Sequence, residues 1–379
     1  MRNRMLLMAI AAVLLAAPVW AYHDGGVAHC NGCHTMHNSQ DSLPVNYNAA
    51  GTGPGTPVGT GWPFLLTFQD KSDVCLNCHQ GLNNGYKIWA DDVLVPNAQK
   101  GGGDYVFLEE DNINDGHGGA TNPIEGYAAG HSIVSAMMGT VADPMNTTAP
   151  GGAYPSSDLG CTSCHDPHGT SSHRLLYQTG QQTISETGFT IDWDTTLLAT
   201  GIGLFGPAES NTNHNVYNGG VSAWCSECHG VWHQSSGSNI HPSGENLTAR
   251  VVSIYNQYSG SEDCSGPGNT APCGTGSFAT AYLAEVPFQD PDITDTSSTS
   301  GPDTSNSRVV CVSCHRAHAS SARDSGRWDF NITGLDEDGV ESGSYAIPNP
   351  FNEYQRSLCN KCHAQDELDV LVDFSGGGS

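Results

Sequence analysis

Six times along this chain two cysteines stand three positions apart with a histidine directly after the second: Cys30-Cys33-His34, Cys75-Cys78-His79, Cys161-Cys164-His165, Cys225-Cys228-His229, Cys311-Cys314-His315 and Cys359-Cys362-His363. Such a pentad accepts a covalently attached c-type haem. The two thiols add to the vinyl groups of the porphyrin, and the adjacent imidazole is held against the iron as its first axial ligand. With this cysteine and histidine content a shuffled chain would hold about 0.02 pentads, so the set of six is specific where a single one would be weak. The expectation is six covalently bound c-type haems, with His34, His79, His165, His229, His315 and His363 as proximal ligands to the irons.

The second axial position of each iron must come from elsewhere. Seventeen histidines less the six proximal ones leave eleven, against four methionines beyond residue 21 (Met36, Met137, Met138 and Met145), so bis-histidine ligation is the economical reading. Three pentads, the first, third and fifth, carry a further histidine three residues on: His37, His168 and His318. An isolated histidine precedes each pair of pentads: His23, His131 and His241. These six are the expected distal ligands, and His233, four residues after His229, is a spare candidate. His29, His117, His173 and His214 fit no repeated position and read as surface or propionate-contacting groups. An iron with two imidazoles has no open position for a substrate, so the pattern describes electron exchange rather than catalysis. No catalytic residues are expected, since a reductase needs a five-coordinate haem and all six pentads are regular. Zinc ribbons use CxxC pairs without a histidine after every second cysteine, and a thioredoxin-like site needs one CxxC in a βαβ setting.

The elements that would position these groups are sparse. Gly and Pro together number 66 of 379 residues and apolar residues are 37%, so the chain reads as loop nearly throughout. Porphyrins can supply the apolar mass that the side chains lack. The fold class expected is mostly irregular coil with few short helices and little or no β-sheet, wrapped around a stacked chain of haems. Residues 245–258 have the best helical periodicity, and shorter helical turns are expected at 133–138, 278–286 and 352–368. Successive pentads begin 45, 86, 64, 86 and 48 residues apart. The alternation of gaps, with the alternation of CxxCHxxH and CxxCH, predicts a threefold internal repeat of haem-pair units at about 22–115, 116–235 and 236–379 within one domain spanning 22–379.

Arg2 and Arg4, the apolar run from Met5 to Ala17 and the small residues around Val19-Trp20-Ala21 read as an export signal over 1–21, too short to span a bilayer. Removing it leaves 11 basic against 39 acidic side chains, a net charge of −28. That argues against nucleic acid and suits an exported protein with cationic or metallic partners. Cys264 and Cys273, outside the pentads, flank a turn-forming loop and are expected to pair as a local disulfide.

Several segments carry a family resemblance: YHDGGVA at 22–28, CNGCHTMHNS at 30–39, CLNCHQ at 75–80, GHSIV at 130–134, APGGAYP at 149–155, CTSCHDPHG at 161–169, AWCSECH at 223–229, CVSCHRAHAS at 311–320 and YQRSLCNKCHAQD at 354–366. In this order they resemble the filament-forming hexahaem c-type cytochromes on the surface of metal-reducing bacteria. The resemblance implies a head-to-tail homopolymer at the cell surface or outside it, passing electrons between other cytochromes and extracellular acceptors such as metal oxides. It further implies that His37 ligates the fifth haem, that of His315, in the adjoining subunit. Extended through the repeat as a rule, His168 would serve the first haem, His318 the third, and the leading histidines the even-numbered haems. The alternative left open is a monomeric periplasmic or outer-surface multihaem carrier feeding a reductase.

Overall fold

A computed structural model describes residues 30–53, 55, 57, 59–81, 86–92, 101–109, 113–114, 123–203, 209–230, 243–260, 274–330, 350–351 and 356–363. The expected export signal, His23, His29, His117, His233, His241, Cys264 and Cys273 lie outside the described residues. The described chain is mostly coil, as its glycine and proline content demands. Among the described residues the helices are α1 (Lys71–His79), α2 (Val221–His229), α3 (Ala249–Gln257), the single turn α4 (Cys311–Cys314) and α5 (Arg356–His363), with short 3-10 turns between them. Strands form three two-stranded antiparallel ribbons: β1 (Ile113–Asn114) with β2 (Pro123–Ile124), β3 (Gln182–Ile184) with β4 (Thr190–Asp192), and β5 (Leu198–Thr200) with β6 (Val216–Gly219).

The helices are placed for the pentads. α1, α2 and α5 each end on the histidine of an even-numbered pentad, so both cysteines and the imidazole leave the last two turns. The odd-numbered pentads sit instead on tight turns, Cys30–Gly32, Cys161–Ser163 and α4. α3 and α5 are the strongly amphipathic helices; α5 falls within the helical turn expected at 352–368, and α3 starts at Ala249 rather than 245, because the Thr248 side chain accepts from Val251 N–H and caps the helix there. The expected helical turns at 133–138 and 278–286 shrink to a non-helical turn over 136–139 and the 3-10 turn Phe278–Thr280.

The apolar side chains do not gather into one core. One cluster surrounds Leu76, Trp89, Val106, Phe107 and Ile133, with Cys161 packed against it. Another surrounds Tyr255, Tyr282, Phe288, Trp328 and Leu358, with Cys314, Cys359 and Cys362 against it. A third, around Tyr154, Tyr177 and Trp193, reaches Cys228. Each of these clusters abuts the anchors, and Leu159 packs against both the first and the third.

Two carboxylates, the half-buried Asp70 and the buried Asp73, tie α1 to the turn after Ile133. Asp70 caps α1 by accepting from Asp73 N–H and also accepts from Ala136 N–H, while Asp73 accepts from Ser135 Oγ at 2.6 Å and from Met137 N–H at 3.1 Å. Burial, with the Asp70 charge adding to it, pushes the Asp73 carboxyl from 3.8 up to about 7. The folded chain therefore binds this proton more tightly than the unfolded chain. Its stabilising contribution is complete below about pH 4 and lost as pH rises through about 7. Asp73→Asn keeps the acceptor oxygen but cannot ionise. It is expected to flatten the pH dependence of the thermal midpoint between pH 4 and 7, as read by thermal unfolding across that range.

Candidate haem sites

The proximal histidines share one hydrogen bond. The Nδ1 atoms of His34, His79, His165, His229 and His315 each lie 2.7–2.9 Å from a main-chain carbonyl, those of Phe64, Tyr86, Arg174, Pro150 and Asp324 respectively. A carbonyl can only accept, so each Nδ1 carries the hydrogen and Nε2 keeps the lone pair that a metal takes. His363, the sixth, is half-buried at the end of α5.

The odd-numbered sites repeat this device in detail. Phe64, Arg174 and Asp324 have φ of 56°, 54° and 57°, and the residues that follow them, Leu65, Leu175 and Ser325, have φ of 57°, 60° and 56°. Side chains with a Cβ rarely adopt this left-handed region, and pairs of such residues mark a functional constraint. The second carbonyl of each pair accepts from the residue after the histidine: Leu65 from Thr35, Leu175 from Asp166, Ser325 from Arg316. Two residues further on, the N–H groups of Thr67, Tyr177 and Arg327 donate to Cys33, Cys164 and Cys314. The chain after the pentad is thus folded back over the histidine in the same way three times. In the second and third instances the carbonyl lies nine residues beyond the histidine, in the first thirty, which hides the repeat from inspection of the sequence.

Three of the expected distal histidines face a proximal one. His34 and His168 have ring centres 6.5 Å apart with planes 3° from parallel, His165 and His318 are 6.4 Å apart at 53°, and His229 and His131 are 5.9 Å apart at 41°. Two imidazoles bound end-on to one metal at roughly 2.0–2.1 Å each have ring centres about 6 Å apart, so these gaps are of the size an iron fills. His131 gives its Nδ1 to Ala317 O at 2.7 Å, while His318 stacks on Tyr105 at 4.6 Å. Burial lowers His131 to about 4 and His318 to about 3, which keeps both as neutral imidazoles, the ligating form. His37 is exposed, and among the described residues no histidine ring faces it or His315.

The anchors run in chain order. Cys75 lies against Cys161, and Cys225 against Cys311. Cys33 feels Cys78, Cys164 feels Cys228, and Cys314 feels Cys362, in each case after burial as the larger cause of a raised thiol. Each pentad therefore neighbours the next, and the links from second to third and from fourth to fifth are as close as those inside the sequence pairs. Two other groups complete the environment. Arg327 is fully buried and its Nη2 has no partner among the described residues, which suits an anionic group such as a propionate. His214, expected at the surface or on a propionate, is instead 1% exposed, stacked on Tyr282 at 3.6 Å, with Nε2 2.8 Å from Ser298 O. It is a packed core residue, satisfied by main-chain carbonyls, while His173 is half-buried beside Arg174 and lowered to about 4 by burial. Paired cysteines, tautomer-fixed imidazoles, metal-sized gaps and a buried guanidinium with one nitrogen left to donate all fit haem c.

Known proteins agree. The chain is 32% identical over 445 aligned positions to the C-type cytochrome OmcS of Geobacter sulfurreducens, covering 95% of this chain and 98% of that protein. The chain belongs to the OmcS family of c-type cytochromes. A family model described as a doubled CXXCH motif matches residues 155–183. The solved outer membrane cytochrome S filament from Geobacter sulfurreducens superposes with a TM-score of 0.70 at 29% identity, over 91% of this chain and 100% of that one. The OmcS nanowires of the same organism superpose with a TM-score of 0.68 at 28% identity, over the same shares. As a member of the OmcS family the chain carries c-type haems with iron, six by its pentads. Among the described residues no helix is long and apolar enough to cross a membrane.

A gap closed by one iron gives a direct test. His168→Ala is expected to leave six haems attached while one of the six irons becomes high-spin, visible in the absorption and paramagnetic resonance spectra. An entirely low-spin spectrum would remove His168 from the ligand set.

Proposed function

We propose that the chain is an extracellular electron conduit that polymerises head-to-tail, delivering electrons to external acceptors such as metal oxides. When bound, each haem supplies a one-electron iron couple; the chain's own residues hold, orient and order those groups. The pairing His34–His168, His165–His318 and His229–His131 assigns the distal ligands of the first, third and fourth haems. His23 and His241, as the other leading histidines, are assigned to the second and sixth. With both axial positions filled by imidazole, no iron offers a place for a substrate, and the protein is a carrier rather than an enzyme. The repeated folding-back after the odd pentads supports the division into three haem-pair units within one domain.

One observation carries the polymer reading. His37 stands exposed with no histidine ring opposite it among the described residues, and His315 has its tautomer fixed for ligation but no described histidine facing it. Each is the half of a site whose complement a second copy would bring. A contact of that kind joins unlike surfaces and therefore propagates as an open filament instead of closing on itself. The relatives' solved forms are filaments and nanowires, which is what such a contact would build. The acidic surface, net −26 for the whole chain, keeps such a polymer soluble and suits cationic or mineral acceptors.

His37→Ala is expected to retain six haems but to abolish filaments in negative-stain images and to leave one iron weakly ligated. Filaments with every iron low-spin in that variant would remove His37 as the ligand given across the junction, whereas wild-type protein that forms no filaments would favour the monomeric carrier feeding a reductase.

A further inference from the structure

Lys361 stands directly before Cys362 in the sixth pentad and is only 3% exposed. Lysine is almost never buried unless paired, and among the described residues no carboxylate lies within ion-pairing distance of this one. Its ammonium instead sits over the ring of Tyr255 on α3 at 4.5 Å and that of Phe351 at 5.6 Å, and donates to Tyr258 O at 3.3 Å.

The corresponding position of the other pentads carries Gly32, Asn77, Ser163, Glu227 and Ser313. Ser163 and Ser313 there do local work, their hydroxyls accepting from Gly160 N–H and Val310 N–H to close the turn. Lys361 closes no turn. It carries a positive charge from α5 into an aromatic cage against the sixth haem's own anchor, in a chain with three times as many acidic as basic residues. Reduction of an iron removes one positive charge from the site, so a fixed cation held beside it in a medium of low polarisability favours the reduced form.

We propose that Lys361 sets the reduction potential of the sixth haem, raising it so that electrons are held more favourably at the C-terminal end of the run than they would be without it. The proposal rests on the six-haem reading above. The side chain acts through space on the iron and touches no acceptor.

The test is spectroelectrochemical titration of the haem-loaded wild-type protein, Lys361→Met, which keeps an apolar stem without charge, and Lys361→Arg, which keeps the charge. The expected result is six haems by pyridine haemochrome and low-spin spectra in all three. One of six one-electron components should move to lower potential in K361M, with K361R close to wild type. Unchanged potentials in K361M, or equal shifts in K361M and K361R, would overturn the proposal, since the charge would then not be the cause. Loss of a haem in K361M, confirmed in K361Q, would also overturn it by assigning the residue a structural role. Fewer than six haems in the wild-type protein would instead sink the reading on which it rests.

Discussion

A hydrogen bond from imidazole Nδ1 to a main-chain carbonyl is the interaction that organises this protein. It selects the tautomer, aims Nε2 outward from the pentad, and dictates where the following chain must go so that a carbonyl arrives opposite the ring. At the odd-numbered sites that demand is met by two successive residues in the left-handed region, Phe64-Leu65, Arg174-Leu175 and Asp324-Ser325. None of these is glycine, so the conformation is held by the surrounding bonds rather than by permissive residue type. At the second and fourth sites the histidine ends a helix, and the carbonyl comes from a loop, Tyr86 or Pro150.

Much of the remaining architecture follows from keeping these rings in place without a conventional core. The apolar clusters are small and local, and several pack directly against pentad cysteines. Burying the side chains of each cluster stabilises by about 25 cal/mol per Å² of apolar surface, but the clusters meet through single side chains such as Leu159 and Trp224, and porphyrin is the group that can join them more widely. Polar ties bridge what apolar contact does not, as with the Asp70 and Asp73 carboxylates that bind α1 to the turn at 135–137. A protein built in this way should owe its stability to its cofactors to an unusual degree.

The order of the anchors links that architecture to conduction. Consecutive pentads are neighbours from the first to the last, so covalent attachment alone lays the haems out as a series. Distal histidines then stitch distant stretches together: His168 reaches back to His34, and His131 reaches forward to His229.

The pentads, their number and the chemistry they accept were legible in the residues alone, because thioether attachment and axial ligation are local demands met within five positions. The scarcity of regular structure was legible too, from glycine and proline content. Four things were decided only in three dimensions. Which even-numbered pentad His131 faces depends on long-range folding; the carbonyl opposite His34 comes from thirty residues away; His214, which looks like any unassigned histidine, is sealed under Tyr282. The helices α1 and α2 also escaped periodicity, because they are short and are positioned by a cap at Asp70 and by the haem anchors rather than by an apolar stripe. Ligand types are written in the sequence because bonding chemistry is local, whereas ligand partners are set by packing that brings distant segments to opposite sides of one metal-sized gap.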